Sequence, residues 1–210
     1  MSHGGARGCC YVPHVKVREI GIPDAYEIST DVFPDDRGLF LNPFRADALA
    51  EAIGRPLHVR QTNHSASKRG VVRGVHFSLL PPGQAKYVYV PRGAVLDIVV
   101  DIRIGSPTYG QHEVVRLDDR DFLAIYLSEG LGHCAVALED DTVLSYLCST
   151  EYDPDREKGV SPTDPELALP VPADALLSAR DTGAPTLAEA AEQGLLPTYE
   201  ACKAFYAALA

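Results

Sequence analysis

Val71-Val72-Arg73-Gly74-Val75-His76-Phe77, Ala85-Lys86-Tyr87-Val88-Tyr89-Val90 and Ala94-Val95-Leu96-Asp97-Ile98-Val99-Val100-Asp101-Ile102-Arg103 follow one another in the middle of the chain. Each run is short and rich in β-branched and aromatic residues, the composition that fits a pleated, half-buried surface. Ser78-Leu79-Leu80-Pro81-Pro82-Gly83 and Pro91-Arg92-Gly93 break the runs with residues that turn the backbone. The same texture extends in both directions. Residues 12–17, 26–33, 39–44 and 57–63 read as strands on the N-terminal side, with the turn Pro34-Asp35-Asp36-Arg37-Gly38 among them. Residues 111–117, 122–127, 134–138 and 142–148 read as strands on the other side, separated by Asp118-Asp119, Glu129-Gly130 and Glu139-Asp140-Asp141. One short helix is expected over 45–53, closed by Gly54. Many short strands with no long helix between them predict an antiparallel sandwich or barrel.

The texture changes after residue 150. Pro154, Pro162, Pro165, Pro170 and Pro172 make 152–173 an irregular, extended segment. Thr186-Leu187-Ala188-Glu189 matches a capping box, and the helix it opens should end near Gly194. A second helix over about 198–208 carries Tyr199, Cys202, Phe205 and Tyr206 at helical spacing. The expected organisation is one β domain over 11–185, with the helices of 186–210 packed on it as a small appendage. Residues 1–10 are polar and Gly-rich and are expected to be disordered.

A chain of 210 residues with 46% hydrophobic and 23% charged residues is long enough for a full core and reads as globular. A net charge of −10 argues against general binding to nucleic acid or to a membrane surface. No apolar run reaches the roughly eighteen residues of a membrane span, and the N-terminus has no signal-peptide core. Five irregularly spaced cysteines, Cys9, Cys10, Cys134, Cys148 and Cys202, fit a reduced cytoplasmic protein better than a disulfide framework.

Three side chains stand out on the β background. Arg73, His76 and Lys86 fall within fourteen residues of an apolar region, where an unpaired cation is costly. A lone histidine is most often a hydrogen-bonded core residue. With Arg73 and Lys86 beside it, His76 reads instead as a proton-transfer group in an anion pocket. Strand alternation puts Arg73 and His76 on opposite faces, so a shared pocket requires a bulge, for which Gly74 is the suitable place. Gln84 and Lys86 share one face, continued by Val88 and Val90. Asp97, Asp101 and Arg103 form the polar face of a half-buried strand and read as structural, with Arg103 the carboxylates' partner. His133 follows Gly130-Leu131-Gly132, where glycines allow close approach of a ligand. His64 is a third candidate, and His112 reads as a surface position. No His-x-His pair with a following Glu and a later His supports a metal site. Tyr152, one of ten tyrosines, and Asp181 carry weak signals alone.

Taken together, these pieces resemble the dTDP-4-dehydrorhamnose 3,5-epimerase family. The matching motifs are Asp36-Arg37-Gly38-Leu39-Phe40, Gln61-Thr62-Asn63-His64-Ser65, Arg73-Gly74-Val75-His76 and Gln84-Ala85-Lys86. They continue with Asp101-Ile102-Arg103, Ser106-Pro107-Thr108-Tyr109-Gly110, Gly132-His133, Tyr152-Asp153-Pro154 and Leu177-Ser178-Ala179-Arg180-Asp181, in family order over roughly 26–185. The resemblance implies a cupin-like jelly-roll β-barrel that forms a homodimer and acts on a dTDP-4-keto-6-deoxyhexose. It implies His76 as base with Asp181 as dyad partner, Tyr152 as the opposing acid and Lys86 at the substrate oxygens. It places Arg73 and Arg37 at the diphosphate or sugar, His133 along the site, and Gln61, Asn63 and Phe40 near the nucleotide. The chemistry fits these types: a cation stabilises the enolate that forms when a proton α to the C4 ketone is removed, and a histidine is a suitable base near neutral pH. No metal or redox cofactor is required. The chain departs from the family at Asn42, where a glutamate is common, and at Ser78, where a glutamine is common. It looks closer to relatives in antibiotic deoxysugar pathways, some of which invert only C3 or only C5. Competing readings are a cupin 3,4-ketoisomerase of the same sugar, a non-catalytic nucleotide-sugar-binding cupin and, more weakly, a metal-dependent cupin oxygenase.

Overall fold

A computed structural model describes residues 14–210. The expectations for residues 1–10, including Cys9 and Cys10, lie outside the described residues, as does the start of the strand expected at 12–17.

The elements run β1 (Val15–Glu19), β2 (Ala25–Thr30), β3 (Val32–Asp35), β4 (Gly38–Leu41), α1 (Ala46–Ile53), β5 (Gln61–Ser67), β6 (Val72–Ser78) and β7 (Lys86–Arg92). They continue with β8 (Ala94–Val100), β9 (His112–Asp118), β10 (Ala124–Leu127), β11 (Gly132–Ala137), β12 (Thr142–Cys148) and β13 (Glu157–Gly159). Three helices close the chain: α2 (Ala179–Thr182), α3 (Leu187–Glu192) and α4 (Tyr199–Leu209). A six-stranded sheet in the order β1-β2-β10-β7-β12-β5 faces a five-stranded sheet in the order β13-β6-β11-β8-β9, and every pairing within them is antiparallel. Strands β3 and β4 form a separate two-stranded ribbon.

Three apolar clusters explain the layering. Val88 and Val90 of β7, Ile125 and Leu127 of β10 and Leu144 of β12 meet Val95 and Val99 of β8 and Ala135 of β11 between the sheets. The other face of the five-stranded sheet, with Val72, Val75, Ile98, Val100 and Val136, packs under Val160, Leu167, Leu169, Leu187, Ala190 and Leu196 from the C-terminal quarter. The other face of the six-stranded sheet, with Ile28, Tyr87, Ala124 and Tyr126, packs against Leu49 of α1 and Leu57. Gly54 ends α1 in the left-handed conformation expected of it, and the Thr186–Glu189 capping box opens α3.

The covering layer changes how β8 must be read. It is buried along nearly its whole length rather than on one side, because the C-terminal segment shields the sheet face that alternation alone would leave to water. It also stops at Val100, since Asp101 and Arg103 enter a turn and bond to each other. Strand β5 lies four residues later than its expected start, β13 interrupts the stretch expected to be irregular, and α2 forms where no element was expected. No described helix is long and apolar enough to cross a membrane.

Candidate active site

A cavity of about 520 Å3 opens between the sheets, and its walls are the inward faces of five strands. Gln61, Asn63 and Ser65 reach it from β5, Lys86 from β7 and Tyr146 from β12, all in the six-stranded sheet. Arg73 and His76 reach it from β6 and His133 from β11 in the facing sheet. Gln84, Tyr152, Glu157, Ser178, Arg180 and Asp181 close the rim.

Arg73 and His76 share this cavity because β6 bulges. His76 pairs with His133 and Arg73 with Ala135, so three steps on β6 match two on β11. Gly74 occupies the bulge with φ +132, and a Cβ there would lie 2.4 Å from the His133 carbonyl oxygen and 2.6 Å from Cys134 Cα. Only glycine fits that approach.

The electrostatics separate the walls. His76 Nε2 lies 2.6 Å from Asp181 Oδ1, whose other oxygen accepts from Ser178 Oγ at 2.8 Å. Burial by itself raises the Asp181 pKa, yet the hydrogen bond and charge of His76 and the Ser178 hydroxyl hold it below the usual carboxylate range. An ionised Asp181 places the proton on Nε2 and leaves Nδ1 of His76 with a free lone pair. His133 Nε2 likewise lies 2.8 Å from Oδ2 of the fully buried Asp97. On the facing wall Lys86 is only 6% exposed, and its side chain makes no hydrogen bond or ion pair with any described residue. A cation so enclosed is stabilised when an anionic oxygen joins it. Arg73 donates to Ser67 Oγ at 3.1 Å and to the Ala66 carbonyl oxygen, and pairs with no carboxylate among the described residues. Tyr146, half-buried, has its phenol pKa raised by burial first and then by Cys148 and Glu157.

The structure therefore brings His76, Asp181, Lys86, Arg73, His133, Gln61, Asn63 and Tyr152 to one cavity. It does not bring Arg37 or Phe40 there. Both stand on the β3–β4 ribbon, where the Arg37 side chain is 90% exposed and bonded to Asp35, and Phe40 is 63% exposed. His64 sits on the opposite face of β5, bonded to Ser145 Oγ. Tyr146, Glu157 and Arg180 were not singled out in the sequence. Tyr146 alternates with Leu144 and Cys148 on β12, which gives its face but not that this face lines a cavity, and Glu157 and Arg180 sit on elements too short for a periodic signal. Asp97 was assigned a structural role, and its contact with His133 ties it to the site. No group of three or more His, Cys, Asp or Glu side chains among the described residues is arranged to hold a metal ion.

The profile of the dTDP-4-dehydrorhamnose 3,5-epimerase family matches residues 19–189. The chain belongs to this family. It is 54% identical over 191 residues to a dTDP-4-dehydrorhamnose 3-epimerase of Streptomyces niveus, covering 90% of this chain and 92% of that one. The Mycobacterium tuberculosis rmlC epimerase superposes with a TM-score of 0.91 at 45% identity, covering 93% of this chain and all of that one. A double mutant of ChmJ, a 3'-monoepimerase from Streptomyces bikiniensis in complex with dTDP, superposes with a TM-score of 0.88 at 44% identity, covering 91% and 97% of the two chains. The histidine and tyrosine replaced in that epimerase are seventy residues apart. His76 and Tyr146 have the same separation here, and His76 and Tyr152 do not.

Proposed function

We propose that the cavity epimerises a dTDP-4-keto-6-deoxyhexose, dTDP-4-keto-6-deoxyglucose foremost, inverting C3 alone or together with C5. The observation that carries this reading is the enclosed, unpartnered Lys86 ammonium on one wall, facing a His76–Asp181 pair on the other. His76 Nδ1 takes the proton α to the ketone. The electron pair of the broken C–H bond becomes the enolate, its charge on O4 beside Lys86, with His133 on the opposite wall of the cavity. A phenol then returns a proton to the opposite face of the carbon, and solvent resets both groups. Inversion requires base and acid on opposite sides of the sugar, and the two sheets supply opposite walls.

Tyr152 was the acid expected from the sequence, and Tyr146 fits the role better. Tyr146 lies within the facing sheet, half-buried on the wall opposite His76. Tyr152 is 56% exposed at the rim. Arg73 suits the diphosphate as a forked donor, with Gln61 and Asn63 towards the nucleotide. Arg37 and Phe40 complete the site from a second copy of the chain, which makes the working form a homodimer. We take 11–185 as the epimerase domain with 186–210 packed on it, and place the reaction in the cytoplasm, where the free Cys134, Cys148 and Cys202 remain reduced.

The test is solvent deuterium incorporation into the 4-keto sugar, assigned to C3 or C5 by NMR. Exchange at either carbon is expected, and His76→Asn should slow it by at least about a hundredfold. No exchange at either carbon, with the sugar nucleotide bound, would leave a binding protein. A ketone moved to C3 would instead identify an isomerase.

A further inference from the structure

Asp181 is buried, yet packing alone does not fix its carboxylate. It stands on α2, a helix of only four residues. Behind it lies a second hollow of about 220 Å3, walled by Lys158 and Gly159 of β13 and by Gly183, Ala184 and Pro185. The terminal torsion of a carboxylate is broad, so a side chain backed by open space can turn its oxygens away from His76.

Ser178 supplies what packing does not. Its hydroxyl donates to Asp181 Oδ2 at 2.8 Å and accepts from the Asp181 N–H at 3.1 Å. Backbone and side chain of one residue are thus tied to one oxygen. That closes a small ring and leaves Oδ1 facing His76 Nε2 at 2.6 Å. Among the described residues, His76 and Ser178 are the side chains hydrogen-bonded to this carboxylate. The backbone leading to Ser178 is fixed as well. Two residues earlier, the Leu176 carbonyl oxygen accepts from the Val72 N–H at 3.0 Å, and the Leu176 N–H donates to the Gly70 carbonyl oxygen at 2.9 Å. Val72 opens β6, the strand that carries His76. One strand therefore sets both halves of the pair: the histidine directly, and the carboxylate through Leu176 and Ser178.

The chemical consequence lies in the tautomer. His76 can take a proton at Nδ1 only while the ring proton sits on Nε2. A carboxylate that swings away removes that preference. The neutral ring then spends part of its time with the proton on Nδ1, where it cannot act as base.

We propose that Ser178 is a positioning residue for proton abstraction: its hydroxyl holds Asp181 against His76 Nε2 and so keeps Nδ1 free for the substrate proton. The proposal rests on the reading of His76 as the base. No proton moves through Ser178; it acts by fixing the orientation of Asp181.

The test must separate this role from capping, because Ser178 is also the N-cap of α2. Glycine is a tolerable N-cap without a hydroxyl, alanine is a poor one, and threonine keeps both functions. Ser178→Ala, Ser178→Gly and Ser178→Thr are compared by deuterium-exchange kinetics and by nitrogen NMR of the His76 ring at alkaline pH, where a neutral imidazole reveals which nitrogen is protonated. Ser178→Ala and Ser178→Gly should each lower kcat for exchange about tenfold with KM near wild type, and should mix the two His76 tautomers. Ser178→Thr should recover most of the rate and the Nε2–H form. A slow alanine variant beside a glycine variant of wild-type rate would overturn the proposal and leave capping alone. A raised KM with unchanged kcat would also overturn it, making the hydroxyl a substrate contact, since Ser178 lines the main cavity. So would wild-type kcat, or an undisturbed Nε2–H tautomer, in both variants that lack the hydroxyl. Thermal denaturation reports folding, and the glycine and threonine variants decide the matter if the alanine variant does not fold. If the wild-type protein exchanges no deuterium, the epimerase reading falls, and the His76 tautomer in Ser178→Gly still decides whether Ser178 holds the pair.

Discussion

A methyl group at position 74 is the smallest change that should disable the site. It would meet the His133 carbonyl oxygen and the Cys134 backbone well inside contact distance, at a φ that L residues rarely adopt. Neither neighbour is a flexible side-chain tip, so the two strands would have to separate where His76 and His133 lie side by side. Gly74→Ala is expected to destabilise the protein by about 3 kcal/mol and to lower the exchange rate even in the folded fraction, measured by urea denaturation and the deuterium assay. Wild-type stability in that variant would contradict the close approach. The tyrosines permit a second prediction. Tyr146→Phe should still let His76 remove the substrate proton, and so retain exchange at the α carbon, while slowing inversion by about a hundredfold. Tyr152→Phe removes a hydroxyl from an exposed residue at the rim and should change inversion little. The reverse result would return the acid role to Tyr152. Residues with an unusual local setting were legible in the sequence: Arg73, His76 and Lys86 are cationic or titratable groups among β-branched neighbours. Tyr146 was not, because an aromatic residue at an inward strand position has the same appearance whether it fills a core or lines a cavity.

At the scale of elements, the strands that were easiest to place are those with apolar residues on the inward face and turn residues at both ends, such as β7 and β12. Strand β5, Gln61–Ser67, is the informative failure. Its inward residues Gln61, Asn63 and Ser65 line a polar cavity, so the alternation that announces a strand is missing where the site is built. Helix α2 escaped notice because four residues cannot show a helical period; it exists through Ser178, whose hydroxyl caps the Asp181 N–H. Of the β3–β4 ribbon only β4 was legible as a strand, because Val32 and Phe33 were read as the end of one strand over 26–33 and Pro34-Asp35 as a turn, and the ribbon's purpose was not legible at all. It carries Arg37 and the exposed Leu39 and Phe40 away from the cavity. An exposed apolar ribbon bearing an arginine is suited to docking on a second copy of the chain. Mixing two inactive variants checks this. Arg37→Ala and His76→Asn should each lose activity, and refolding them together should restore about a quarter of wild-type sites if each site takes its ribbon from the partner. No restoration, with mixed dimers demonstrated, would mean that Arg37 does not serve the partner's site.

For the molecule as a whole, the decisive contacts lie beneath the barrel rather than in it. Arg103 is fully buried and donates to Asp101 at 2.8 Å through both Nε and Nη2, and to Asp24 Oδ2 at 2.8 Å. Asp24 in turn accepts from Lys203 Nζ of α4 at 2.8 Å, and the Tyr199 ring of α4 lies 4.8 Å from the Arg103 guanidinium. Tyr206 of the same helix stacks on Arg55, the buried partner of Glu129, and donates to the Glu129 carbonyl oxygen. One helix thereby joins two buried ion pairs, and stability should depend on pH through them. Burial by itself raises the Asp101 pKa, but hydrogen bonds from Arg103, Ser106 and Thr108 bring it below the ordinary carboxylate value. The folded pKa is lower than the unfolded one, so ionisation favours the folded chain. That stabilisation is complete above the unfolded value of about 4 and disappears as the pH falls through the lowered folded value. Asp101→Asn removes the charge while keeping the shape, and leaves Arg103 with Asp24 as its remaining carboxylate. It should cost about 3 kcal/mol near neutral pH. Thermal midpoints of the two proteins, followed from about pH 7 to about pH 3, should converge as wild-type Asp101 takes up its proton. A gap that stays constant across that range would mean that the asparagine destabilises through shape or packing and that the Asp101 charge contributes nothing to holding the helix on the barrel.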